Sequence, residues 1–248
     1  MAKRPRKPRR PVQLALPLLG LAKVGAKRAG RKPGVGRRSV RHRAREALSA
    51  SHPVHVVLRS RFRPLRSQFV FPTLRQALAK ATRARADFRV IQFSVQGDHL
   101  HLIVEAKDKS VLSRGMQGLA IRVARAVNKL ALRRGKVWAD RFFSRALTSP
   151  RAVKNALGYV LNNFQKHRAA GASRIDPYSS APYFEGFREL RGRAPCDFAA
   201  RADLPLLPRG VPPPQDAAAV PVVRARTWLG RGGWRRAGSV SFSFRGAP

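Results

Sequence analysis

The chain predicts an α+β fold, an antiparallel sheet with helices packed on one face. Three observations predict it. Strand-like and helix-like periods alternate through residues 51–168. Gln96-Gly97-Asp98 joins two β-rich runs as a tight turn. Ser149-Pro150 opens a last helical run, a cap followed by proline at the first turn.

The elements follow in order. Residues 55–60 come after Pro53, are β-rich and read as a first strand. Residues 73–86 carry Leu74, Ala77, Leu78 and Ala81 at helical spacing. Residues 88–95 form a second strand, and residues 99–105 return beside it as a third. On that third strand Leu100, Leu102 and Val104 share one face, while His99, His101 and Ile103 share the other. The leucine face belongs against helices, so the histidine face is expected to stay open.

A long helix follows, with Ser110 as its expected N-cap. Leu112, Met116, Leu119, Val123, Val127 and Leu130 form its core stripe. Residues 137–147 read as a fourth strand carrying Trp138, Phe142 and Phe143. The last helix buries Val153, Leu157, Val160 and Phe164. The order β-α-β-β-α-β is ferredoxin-like, with an added C-terminal helix.

Charge divides the chain. The 248 residues carry 52 Lys+Arg against 12 Asp+Glu, a formal net charge of +40. So large a self-repulsion suits a polyanionic partner, nucleic acid before anionic membrane. A basic ribosomal or chromatin-type protein without chemistry would show the same charge. Residues 1–45 hold sixteen Lys/Arg and no carboxylate, with Pro and Gly throughout. That composition predicts a disordered basic arm over residues 1–50. Gly30-Arg31-Lys32-Pro33-Gly34 suits a DNA minor groove, or simply phosphate binding by an unstructured arm.

Residues 51–168 are the expected catalytic-type domain, and residues 169–248 a Pro/Arg-rich extended tail that can dock on it. Cys196 is the only cysteine, which excludes an intrachain disulfide and fits a reducing cytoplasm. The basic, apolar and small-residue succession through Ala26 mimics a secretory signal, but Pro17, Lys23 and the charge downstream oppose export. No run reaches the roughly 20 apolar residues of a membrane span, so no membrane partner is expected.

Chemistry concentrates in four residues. His99 and His101, at i and i+2 on a strand, stand about 6–7 Å apart on one face and can grip one divalent ion. Tyr159 and Asn163 are one helical turn apart, about 120° and about 80° from the centre of the last helix's buried stripe. Tyr159 is expected to face the sheet edge or solvent, and Asn163 can offer an amide oxygen to a metal. The bland alternatives remain: alternating histidines on a solvent-facing strand, and a packed tyrosine with a wet hydroxyl. Arg122, Arg125, Lys129 and Arg133 form a second stripe on the long helix, either a solvated face or a phosphate-contacting one.

The run from Ser94 to Val104, with His99-Leu100-His101 inside it, resembles the histidine-hydrophobe-histidine (HUH) segment of single-tyrosine transposases. These are the IS200-type enzymes and their relatives, the REP-associated tyrosine transposases. Trp138-Ala139-Asp140-Arg141-Phe142-Phe143 and Gly158-Tyr159-Val160-Leu161-Asn162-Asn163 resemble that family's aromatic strand and tyrosine helix. The resemblance spans about residues 52–168 and implies the same ferredoxin-like fold.

The resemblance implies that His99, His101 and Asn163 bind Mg²⁺ or Mn²⁺, which polarises the scissile phosphate. Tyr159 would attack the phosphorus and remain as a 5′-phosphotyrosine. The implied partner is single-stranded or hairpin DNA, and the implied assembly a monomer or homodimer. Trp138, Phe142 and Phe143 can stack on unpaired bases or pack in the core, with Arg141 among the basic contacts. The chain departs from the pattern at Phe164, where relatives have proline, and at Ser144-Arg145. Asn163 replaces a glutamine used by other members. Two readings result: a DNA-cleaving and strand-joining transposase, or a domesticated sequence-specific DNA-binding protein of the same fold without turnover. An RNA-binding ribosomal-type protein explains the charge alone.

Overall fold

A computed structural model describes residues 47–164, 175–190 and 221–243. Residues 1–46 of the basic arm, with the minor-groove-like turn and the signal-like run, and Cys196 lie outside the described residues. The elements are β1 (Val54–Arg59), α1 (Phe71–Arg83), β2 (Phe88–Val95), β3 (His99–Ala106), α2 (Lys109–Leu130), β4 (Phe143–Ala146) and α3 (Pro150–Asn162). They make a four-stranded antiparallel sheet in the order β2-β3-β1-β4, which is the ferredoxin-like α+β arrangement expected.

Alternation along the strands builds two cores. Val54, Val56 and Leu58 of β1 join Leu100, Leu102 and Val104 of β3 on one face. Leu74 and Leu78 of α1 and Met116, Leu119, Val123 and Val127 of α2 cover them. Each fully buried Leu or Val contributes about 1.5–3 kcal/mol by leaving water. The fit is close at Gly115, where an added Cβ would stand 2.3 Å from Cγ of Phe88.

The opposite face carries a second core, and here the expectation of an open histidine face is corrected. Ile91 and Ile103 pack under Val153, Leu157, Val160 and Leu161 of α3. Ile175, Phe184, Phe187, Trp234 and Val240, from the C-terminal residues, complete that layer. The apolar stripe of α3 needs a partner, and the histidine face supplies it through its isoleucines.

A bulge in β2 serves both cores. The register with β3 shifts between Val90 and Gln92, so Val90 and Phe93 both reach the first core. Ile91 is left to the second. An extra residue in one strand bends it in this way, and the odd spacing of Val90 and Phe93 is its trace in the sequence.

Two further expectations change. The N-cap of α2 is Asp108, whose carboxylate accepts from Val111 N at 2.8 Å. Ser110 instead accepts a hydrogen bond from Arg114 inside the first turns. The fourth strand is short, four residues against the run of 137–147 expected. Trp138 lies outside that strand, where it forms an isolated bridge with Ser60 and its Nε1 donates to Ala120 O at 2.8 Å. At the start of α3, Ser149 Oγ accepts from Ala152 N as its position beside Pro150 predicts.

The C-terminal residues are tied on by polar contacts. Arg66 holds the buried Asp176 with two hydrogen bonds, at 2.7 and 2.9 Å, and stacks on Tyr178. Burial pushes the Asp176 carboxyl up, against the opposing pull of Arg66. Ser180 exchanges hydrogen bonds with Phe93 of edge strand β2. Buried Glu105 accepts from the backbone N–H groups of Arg226 and Thr227. No helix among the described residues is long and apolar enough to cross a membrane.

Candidate active site

The two central strands and α3 converge on one cluster. His99 and His101 stand on the same face of β3, their ring centroids 4.6 Å apart and nearly perpendicular. His101 is 3% exposed. Tyr159 comes from α3 above it, edge-on, with centroids 5.1 Å apart. Asn163 caps the C-terminus of α3, and its amide Nδ2 lies 3.3 Å from His101 Nε2. All four residues singled out in the sequence therefore meet in one place. Of the two orientations expected for Tyr159, the sheet edge is corrected: its ring meets His101 and His55 on the two central strands, and it stays partly exposed.

Two participants were missed. His55 of β1 is buried, stacks on His101 with rings 20° from parallel, and sets Nε2 3.3 Å from His101 Nδ1. It also meets Tyr159 edge-on at 5.9 Å. Burial, helped by the charge of Arg145 across the strand pair, lowers its pKa to about 4. His55 is thus neutral at neutral pH. Alternation with Val54 and Val56 puts it on the histidine face, a sign legible in the sequence once β1 is paired with β3.

Asp98 is the second. Its Oδ1 lies 2.6 Å from His99 Nδ1, and its Oδ2 accepts from Arg63 at 2.7 Å. The hydrogen bond with His99, then the charges of His99 and Arg63, hold its carboxyl below the usual carboxylate range against some desolvation. Its turn position concealed this role.

The donor set suits a metal. Asp98 engages His99 Nδ1 and leaves Nε2 outward, the carboxylate–imidazole pairing typical of metal-bound histidine. Asn163 O and N exchange places by a flip of the amide, which turns an oxygen toward His101 Nε2. Among the described residues no group of three or more His, Cys, Asp or Glu stands ready to hold an ion. A cation here would rest on two imidazoles and an amide, with water and substrate oxygens completing its shell.

The basic stripe stands elsewhere. Arg122, Arg125 and Lys129 are exposed on α2, which covers the face of the sheet opposite the histidines. Arg133 lies over the ring of Phe62, at 5.4 Å. Trp138 is half-buried against the first core, and Phe142 packs there too. Arg141 is exposed just before β4. None of these is joined to the histidine–tyrosine cluster by a described contact.

Comparison with known families bears on this geometry. Residues 49–163 match the family model described as Transposase IS200 like. They belong to the IS200-like transposase family. The matched segment runs from just before β1 to Asn163, so it contains the whole cluster of this transposase domain. A solved structure described as that of the REP associates tyrosine transposase bound to a REP hairpin is similar at 20% identity and a TM-score of 0.47. That similarity covers 57% of this chain and 82% of the other. No curated protein matches the chain.

Proposed function

We propose that this transposase cleaves and rejoins single-stranded DNA through a covalent 5′-phosphotyrosine on Tyr159. The observation that carries the reading is the convergence of Tyr159, His101, His99 and Asn163 within one cluster of a transposase-family domain. Tyr159 Oη gives up its proton and bonds to phosphorus as the P–O3′ bond breaks, and the departing 3′-oxygen takes up a proton, so that none is gained or lost overall. A second DNA 3′-hydroxyl can reverse the step, displace the tyrosine and join new strands.

His99, His101 and Asn163 would hold the divalent ion, Mg²⁺ or Mn²⁺. When bound, such an ion polarises a phosphoryl oxygen and offsets the charge that develops there. The chain's own groups do the positioning. Asp98 orients the His99 ring through Nδ1. Neutral His55 can accept a proton shared from His101 Nδ1, which leaves the His101 Nε2 lone pair toward Asn163. The edge contacts of both rings hold the phenol over the cluster. Partial burial on α3 limits competing water, which would otherwise hydrolyse the intermediate.

The test is a denaturing gel of the full chain incubated with labelled single-stranded hairpin DNA from the flanks of its own gene, with Mn²⁺ or Mg²⁺. A covalent band that disappears in Tyr159→Phe is the expected result. Binding to the hairpin with no such band in the wild type would instead indicate the domesticated DNA-binding protein without turnover.

A further inference from the structure

α3 lies chiefly over β2 and β3, and the β1–β4 side of the same sheet face is left partly open. Four side chains stand there: Val57 and Arg59 of β1, and Phe143 and Arg145 of β4. Cross-strand pairing aligns them with the active-site cluster. Val57 is opposite both His101 and Phe143, Arg59 is opposite His99, and His55 is opposite Arg145. Phe143 is 65% exposed, and both arginines are exposed. Two strand spacings, about 10 Å, separate Phe143 from His101.

An exposed aromatic ring on the face that carries the candidate nucleophile, with Arg145 two residues along its own strand and Arg59 on the neighbouring strand, is poorly used as packing. We propose that this strip is the track for the single strand next to the scissile phosphate, with a base stacked on Phe143 and flanking phosphates on Arg59 and Arg145. The inference rests on the strand-cleavage reading above and adds where the substrate lies. Stacking accepts any base because every base has a π-face. Charge complementarity favours a nucleic-acid strand over a second copy of this chain, which is itself strongly basic. Trp138 and Phe142 are half-buried and packed against the first core, so neither offers as open a face.

Fluorescence anisotropy tests it, with labelled oligothymidylate and an abasic strand of equal length as probes for the full chain, at one salt concentration for the Phe143 variants and over a salt series for Arg59→Gln. Phe143→Ala should weaken oligothymidylate binding about tenfold, within the range of one aromatic–base stack. Phe143→Tyr should retain wild-type affinity, and the abasic strand should bind Phe143→Ala and wild type alike. Arg59→Gln should reduce the salt slope by about 0.7, one phosphate contact on a single strand.

Equal affinity of wild type and Phe143→Ala for oligothymidylate overturns the inference while the cleavage reading stands. A shift in sedimentation from dimer to monomer in Phe143→Ala, with DNA binding unchanged, also overturns it and assigns the strip to self-association. Failure of the wild type to bind either strand removes the single-strand reading itself.

Discussion

His55 and His101 lie nearly parallel on adjacent strands, ring centroids 5.4 Å apart, with Nε2 of the first 3.3 Å from Nδ1 of the second. With His55 on Nδ1, the Nε2 of His101 is the nitrogen turned toward Asn163. His55→Phe should therefore lower Mn²⁺ affinity about 10–100-fold, the usual cost of losing an outer partner of a metal-bound histidine. His55→Asn, which keeps an acceptor, should recover part of it. Titration calorimetry with Mn²⁺ alone measures both, and an unchanged affinity in His55→Phe would refute the positioning role.

Acid stability depends on the same residue. The pKa of His55 is about 4 in the fold against 6.5 in the unfolded chain. The unfolded state binds the proton first as pH falls, so this group's stabilising contribution is complete above 6.5 and is lost toward 4. The full loss is about 3 kcal/mol. Urea denaturation with chelator present, compared near neutral pH and near pH 5, should show a smaller difference in His55→Gln than in wild type. Equal differences would assign the acid sensitivity to other groups.

Gly115 sets how closely α2 approaches the sheet. Alanine there gains up to about 1 kcal/mol in helix propensity. Its Cβ would collide with the base of the Phe88 ring, at 2.3 Å from Cγ, where the side chain cannot swing clear. Overpacking of this kind costs about 1–3 kcal/mol. Gly115→Ala should lower the melting temperature, and a rise would show that the helix shifts without cost.

Arg66 and Asp176 join a loop before α1 to the C-terminal residues that complete the second core. Asp176 is fully buried, so Arg66→Met leaves its carboxyl without a counter-charge, with hydrogen bonds from Tyr178 N–H and Ser94 alone to hold it. The expected loss is about 3–5 kcal/mol. Limited proteolysis should then cut within residues 175–190 before the sheet is attacked. Simultaneous cleavage everywhere would mean that the C-terminal layer and the sheet unfold as one unit.

Much of this architecture was legible in the residues themselves. The alternation of Leu100, Leu102 and Val104 with His99, His101 and Ile103 determined the two faces of β3, since a strand's side-chain period is two. The stripes of α2 and α3 were equally plain, as was the Ser149 cap. Local signals went astray at element ends, where Asp108 in place of Ser110 caps α2 and β4 is shorter than its β-rich run. What the chain alone left undecided was which surfaces meet. Periodicity says that α3 has an apolar stripe, and it says nothing about whether that stripe lands on the helix side of the sheet or on the histidine side. Packing decided it, because Ile91 and Ile103 offered α3 an apolar bed, and Tyr159 and Asn163 came down on His101 with it. The same step joined His55 to the cluster and left the Arg122–Lys129 stripe on the far side, since contacts between residues distant in sequence exist only once the sheet has formed.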